Sequence, residues 1–151
     1  MTMSEQALLD TNLLVYALYR DMPQYRDARH MLERTQEENA ALCVSSQVLA
    51  EFYSIITNPK RVTAPFPSAT ALREVEKICS APGVTVLPMP VDVIDRWITL
   101  LRRHPVTRKR VFDLQLIATM LANGVKRIYT FNVRDFRPFP EVEAVEPKAP
   151  Q

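Results

Sequence analysis

Short apolar runs alternate along the chain with longer stretches in which apolar residues recur every three or four positions. The first pattern reads as buried strand and the second as amphipathic helix. Gln6 to Leu9 is a short apolar strand, and Asp10-Thr11-Asn12 offers N-cap side chains for a helical run to about Tyr19. Pro23 suits the first turn of a second helix, in which Tyr25, Ala28, Leu32 and Thr35 share a face and charges fill the other through Glu38. Ala41 to Val44 predicts a second strand. Ser45-Ser46 caps a helix carrying Val48, Leu49, Phe52, Ile55 and Ile56, and Asn58-Pro59 stops it. A basic, proline-punctuated loop follows from Pro59 to Pro67. Ser68 then caps a helix with Leu72, Val75 and Ile78 on one face, ended by Ala81-Pro82-Gly83. Val84 to Leu87 is a β-branched strand, Val91 to Arg103 a helix, and His104 to Val111 a loop. Asp113 opens the helix DLQLIATMLAN, which Gly124 closes at the C′ position. Lys126 to Thr130 is a further strand, and Val142 to Val145 adds one more before a proline-rich tail.

Strand–helix alternation with short, buried strands predicts a three-layer α/β domain around a mainly parallel sheet. With 151 residues and 47% of them hydrophobic, the chain is long enough to bury a core as one domain over residues 1–151, with the proline-rich tail from about 146. Both ends are expected to fray. The net charge of +2 does not announce a nucleic-acid partner, so only a local patch could serve one. Cys43 and Cys79 lie in apolar contexts without metal-ligand spacing and read as reduced core thiols of a cytoplasmic protein. MTMSEQ has an acid and no basic or long apolar region, so it does not read as a signal peptide, and no apolar run is long enough to suggest a membrane span. With only Gly83 and Gly124 in the chain, neither Gly-rich phosphate-loop motif can be written.

Acids fall where such a fold gathers its loops. In open α/β sheets ligands bind beyond the carboxyl ends of the strands. Asp10 follows the first strand directly. Glu51 sits in the apolar context LAEFY, about a turn and a half into the helix after the second strand. Asp113 starts the helix FDLQLIATML, and Asn132 and Asp135 follow the strand that ends at Thr130, in TFNVRDF. Each has an ordinary reading: Asp10 and Asp113 as helix caps, Glu51 as partner of a buried arginine, Asn132 and Asp135 as turn residues. Together they pose a problem, because close carboxylates repel by about 4 kcal/mol per pair at an effective dielectric of 20. A divalent cation among them resolves it, and an all-oxygen set without His or Cys favours Mg²⁺ or Mn²⁺ over Zn²⁺. Such a site suits phosphodiester hydrolysis.

The run RRHPVTRKR ends just before Asp113. Arg108, Lys109 and Arg110 read either as a solvated loop or as phosphate contacts beside the metal, and Lys60 and Arg61 would extend the same patch. His30 and His104 lack metal-ligand spacing, and His30 reads as a helix-surface residue.

The segments LLDTNLLVYA, VSSQVLAEFYSIITNP, VFDLQLIATML and IYTFNVRDFRPFP, in that order from Asp10 to Phe136, resemble a PIN domain, specifically the small ribonuclease toxins of VapBC-type toxin–antitoxin pairs. The resemblance implies a Rossmann-like α/β/α sandwich and Mg²⁺- or Mn²⁺-dependent endoribonuclease activity. It also implies a homodimer and inhibition by a cognate antitoxin. By position, Asp10, Glu51 and Asp113 match the family's core acids, which makes them the metal ligands. Thr11 matches the polar residue that orders the first carboxylate or a bound water. Asn132 stands where many relatives carry Asp, with Asp135 three residues on as the alternative source of that charge.

Other classes fit less well. A haloacid-dehalogenase-type phosphotransfer site needs Asp-x-Asp after the first strand, and this chain has Asp10-Thr11-Asn12. A receiver domain needs an adjacent acidic pair and a Lys after the last strand, neither of which is evident. A non-catalytic module that binds RNA or protein on the same fold is the remaining alternative, and the retained acids argue against it.

Overall fold

The computed structural model describes residues 5–151, so the expectations for the first four residues, including part of MTMSEQ, lie outside the described chain. Five short strands, β1 (Ala7–Leu9), β2 (Leu42–Val44), β3 (Val84–Val86), β4 (Arg127–Tyr129) and β5 (Glu143–Val145), form one sheet in the order β3-β2-β1-β4-β5. Every pairing is parallel. Burial follows position in that order. Central β1 and β2 are buried at every residue, whereas edge strands β3 and β5 hold half-buried and exposed positions.

Seven helices make the crossovers: α1 (Thr11–Tyr16), α2 (Tyr25–Glu33), α3 (Ser46–Ile56), α4 (Ser68–Ser80), α5 (Val93–Arg103), α6 (Arg110–Ala122) and α7 (Val133–Phe136). Helices α1 to α4 pack on one another, and α5 packs on α6. The right-handedness of parallel crossovers puts these groups on opposite faces, because the chain steps one way from β1 through β3 and returns to the other side at β4. The strand order therefore reverses between β1 and β4, and a crevice opens beyond their carboxyl ends. The core runs continuously from Leu8, Leu9, Leu13 and Leu14 through Phe52 and Ile56 to Leu114, Ile117, Met120 and Ile128.

Several local expectations are corrected. Ser68 is the first residue of α4, and the N-cap position is Pro67, which has no side chain to cap with. Helix α4 turns Ala71 and Ile78 inward and leaves Leu72 51% exposed, which also exposes Cys79, one residue past Ile78. Cys43 is buried within β2, where desolvation pushes its thiol up to about 12 and keeps it inert. The C-terminal tail does not fray: the Ala149 N–H donates to Asp27 Oδ1 (2.8 Å) and Arg26 donates to the Pro150 carbonyl (3.0 Å). Gly124 holds φ +70° just past α6, as its C′ role requires. Gly83 is required for space: a Cβ there would collide with the Glu37 carbonyl where the chain enters β3.

Candidate active site

Strand β1 delivers Asp10 to the crevice with its backbone fixed, since the Asp10 N–H continues the ladder to the Tyr129 carbonyl of β4 (3.0 Å). Of the three side chains offered as caps for α1, the one used is Asp10. Asp10 itself is the N-cap, its Oδ1 accepting from the Thr11 N–H at 2.8 Å. Its other oxygen accepts from the Thr130 hydroxyl at 2.7 Å and from Asn12 Nδ2 at 3.4 Å. Cap and cavity wall are thus one carboxylate.

Thr130 directly follows β4 and is fully buried. Its hydroxyl donates to Asp10 and accepts from Asn12 Nδ2 (3.2 Å) and from the Asn132 N–H (3.0 Å), which saturates it. The Asn12 carbonyl oxygen accepts from the Phe131 N–H (3.2 Å), which fixes the orientation of that amide. These bonds tie the segment after β1 to the segment after β4. Neither Thr130 nor Asn12 was singled out from the sequence as a site residue. The available signal was a polar residue closing an apolar strand at the same edge as Asp10.

Glu51 projects from α3 and accepts from the Thr11 hydroxyl at 3.2 Å and, at 3.5 Å, from Gln47 one turn earlier. Gln47 also donates to the Phe112 carbonyl (3.0 Å), joining α3 to the start of α6. Asp113 is not a cap: α6 begins at Arg110, with Lys109 at the N-cap position, and Asp113 lies in its first turn, where the helix dipole favours an anion. Asn132 and Asp135 are not in a turn but on α7, Asn132 at the N-cap position without a side-chain capping bond.

Asp10, Thr11, Asn12, Glu51, Asp113, Asn132 and Asp135 line one open cavity of about 350 Å³, together with Arg61 and the apolar residues Val15, Tyr16, Met22, Ile55 and Phe136. The acids feel one another there. Burial raises the Asp10 pKa against the pull of its bonds from Thr130 and Thr11, and repulsion from Glu51 and Asp135 adds to the rise. Asp113 is pushed up to about 6, first by burial and then by Asp135, Asp10 and Glu51, with Arg110 pulling the other way. Among the described residues no three His, Cys, Asp or Glu side chains already stand as a chelating group. The donors nevertheless fit a hard dication drawn in between them: they are oxygens throughout, they share one cavity, and burial and neighbouring acids destabilise the charge on Asp10 and Asp113.

The basic residues divide. Arg61 lines the cavity, and Lys60 is exposed on the same turn. Arg108 and Lys109 are exposed, Arg108 at the left-handed φ of 58°. Arg110 turns inward instead, donating to the Asp135 carbonyl at 2.8 Å and lying 5.2 Å over the Phe139 ring. That contact fastens α7 to α6, a structural tie that the expectation of Arg110 as an RNA contact did not include. His104 is likewise occupied, its ring 2.7 Å from Glu141, which also accepts from Arg103 (3.1 Å).

Fold and site together define a parallel α/β domain with an acidic, oxygen-donor cavity at the point where strand order reverses. The chain belongs to the PIN-domain family: the model described as PIN domain matches residues 7–142. It is 29% identical over 132 residues to Ribonuclease VapC24 of Mycobacterium tuberculosis, spanning 87% of this chain and 89% of that one. Among solved structures it is similar to VapC20 of Mycobacterium tuberculosis, described as a Sarcin-Ricin loop cleaving toxin, with TM-score 0.65 at 16% identity, covering 89% of this chain and 95% of that one. A chain of VapBC2 from Rickettsia felis, solved bound to a DNA fragment from their promoter, gives TM-score 0.63 at 17% identity, covering 94% of this chain and 98% of that one. These two likenesses bear on the fold.

Proposed function

We propose that this PIN-domain protein is the endoribonuclease toxin of a toxin–antitoxin pair, hydrolysing RNA phosphodiester bonds with Mg²⁺ or Mn²⁺ held by Asp10, Glu51 and Asp113. The observation that carries this reading is the gathering of separately delivered carboxylates in one cavity, where burial and their neighbours raise the energy of ionised Asp10 and Asp113. The cation would polarise the phosphoryl oxygen and lower the pKa of the attacking water. The chain's own residues prepare the place. Thr130, Asn12 and the Thr11 N–H fix the rotamer of Asp10, and the Thr11 hydroxyl orients Glu51. Arg110 holds the α7 backbone at Asp135 beside Asp113 and moderates the repulsion on that acid. Asn132 can offer a carbonyl oxygen at the cavity mouth, and Asp135 supplies the fourth negative charge there. Arg108, Lys109 and Lys60 are the exposed cations for the RNA backbone.

The relatives' names support a ribonuclease, and the VapBC complexes among the structural neighbours support a cognate antitoxin as partner. Exposed Met89, Val91, Ile94, Ile98 and Phe112, on and around α5 and the start of α6, support pairing with a second copy of the chain. No helix among the described residues is long and apolar enough to cross a membrane; the cytoplasm is the compartment proposed here, as the one in which cellular RNA would be met.

Brief expression in a bacterial host followed by sequencing of new RNA 5′ ends tests the assignment. Discrete cuts with the native chain and none with Asp10→Asn are expected. Identical cuts from both would overturn the metal-site assignment, and no cuts from either would favour the non-catalytic binding module.

A further inference from the structure

We infer that the acid-lined cavity also seats the nucleotide next to the scissile bond, with Arg61 on that nucleotide's phosphate and Tyr16, Met22 and Ile55 against its base. This rests on the ribonuclease reading and names how the same site holds its substrate.

The cavity changes character along its length. On α1, Thr11 and Val15 are one turn apart and both line it, and so do Glu51 and Ile55 on neighbouring α3. Moving one helical turn, about 5.4 Å, down both helices therefore replaces a hydroxyl and a carboxylate with two apolar side chains. Tyr16 and Met22 continue that apolar end. Hydrolysis of a phosphodiester has no use for such a surface, whereas a nucleobase does: bases bind on aromatic and apolar faces with little regard to sequence. A volume of about 350 Å³ is at the small end of ligand cavities, which suits one nucleotide and not a helix or a duplex.

Arg61 is the cavity's one cation among its lining residues. It faces a cavity with four carboxylates in its lining, yet none of the ion pairs among the described residues involves it. The turn that carries it is tied down. The Asn58 side chain accepts from the Lys60 N–H (2.9 Å), and the Asn58 carbonyl accepts from the N–H groups of Arg61 (2.9 Å) and Val62 (3.1 Å). Farther on, the Phe66 N–H donates to the Ile56 carbonyl (2.7 Å) and the Tyr19 hydroxyl to the Ala64 carbonyl (3.0 Å). A guanidinium carried by a fixed turn at the rim, and not engaged by the acids, is free to present its fork to a phosphate oxygen pair. Among the described residues no carboxylate oxygen comes within 4.0 Å of its guanidinium nitrogens, which leaves it to meet the phosphate next to the reacting one. Arg61 is therefore a positioning residue, and its loss acts on binding.

The test uses a short fluorescent single-stranded RNA in EDTA, titrated by anisotropy across a salt series, alongside steady-state cleavage in Mg²⁺. Arg61→Ala should bind about tenfold more weakly and reduce the salt slope by about 0.7, the share of one phosphate on a single strand. Arg61→Lys should keep the slope and recover part of the affinity. Tyr16→Leu should weaken binding with the slope unchanged and alter the base preferred beside the cut. In cleavage, Arg61→Ala should raise KM with kcat within about twofold of the native value. Arg73→Ala, on the exposed side of α4, serves as control. Affinity and slope for Arg61→Ala equal to that control would overturn the inference, and so would a fall in kcat at unchanged KM, which would put Arg61 on the reacting phosphate. A native protein that binds this RNA but never cuts it would instead count against the ribonuclease reading alone.

Discussion

Thr130 shows how much of the site depends on residues other than the acids. Its hydroxyl has one proton and two lone pairs, and Asp10, Asn12 and the Asn132 N–H use all three. Thr130→Val keeps the shape and removes every one of these bonds. It should destabilise the protein by about 1–3 kcal/mol in chemical denaturation and reduce RNA cleavage together. A variant of native stability and activity would show that Asp10 is held by its helix cap alone. Asp113 gives a second test at the same scale. Its pKa in the folded chain, about 6, lies above the ordinary 3.8, so between those values the folded protein binds more protons than the unfolded chain. Stability from this group is therefore lost as pH rises through that window. Relative to the native chain, Asp113→Asn should gain stability on going from pH 4.5 to pH 7, of the order of 1 kcal/mol once solvent screening of a half-exposed group is allowed for. A stability difference that does not change with pH would contradict the crowding of charge. The acids were legible in the sequence because each interrupts an apolar segment at one sheet edge. Thr130 was not, since a hydroxyl ending a strand is ordinary and its partner is 120 positions away.

At the scale of elements, the hydrophobic pattern located every strand to within a residue or two, most plainly β1 and β2, because buried parallel strands are continuous apolar runs. It failed where polar chemistry set the boundary. An Asp before an apolar run resembles a cap, so α6 was expected to open at Asp113, but the chain breaks earlier, at the left-handed Arg108, and the helix starts at Arg110. The turn expected in TFNVRDF is a short helix for a tertiary reason: Arg110 grips the Asp135 carbonyl and stacks over Phe139. The three basic residues of this loop should consequently separate in experiment. Neutralising Arg108 and Lys109 should flatten the salt dependence of RNA binding with little effect on folding. Arg110→Ala should lower the melting temperature and speed amide exchange in residues 132–136. Equal effects of all three on salt dependence would return Arg110 to the RNA-facing set. Gly83→Ala tests the close entry to β3: where space allows, such a change stabilises by roughly 0.4–1 kcal/mol, but here the new Cβ would meet the Glu37 carbonyl, and it should lower the melting temperature. A melting temperature unchanged by it would mean the crossing is looser than described.

For the molecule as a whole, strand order decides function more than any single motif does. The reversal between β1 and β4 puts Asp10 and Thr130 side by side, and the crossovers on opposite faces bring Glu51 from α3 and Asp113 from α6 to the same crevice. The alternation of strands and helices made that architecture legible, the resemblance carried by four segments from Asp10 to Phe136 pointed to the family, and the PIN-domain match confirms both. Assembly was less legible, because the exposed apolar side chains Ile94 and Ile98 stand one turn apart within a helix whose other face is core, and only the folded chain shows which face is left uncovered. Under the proposed pairing the native chain should be a dimer in light scattering and the paired change Ile94→Asp and Ile98→Asp a monomer; a monomeric native chain, or a dimer that survives the change, would contradict pairing through this face. The central claim, that this cavity is a divalent-metal ribonuclease site, is tested most directly by incubating the purified protein with a defined single-stranded RNA in Mg²⁺, in EDTA, and in Mg²⁺ with Asp10→Asn. Cleavage is expected only in the first case, with the others slower by at least about a hundredfold. RNA cut at the native rate in EDTA, or by Asp10→Asn, would contradict it.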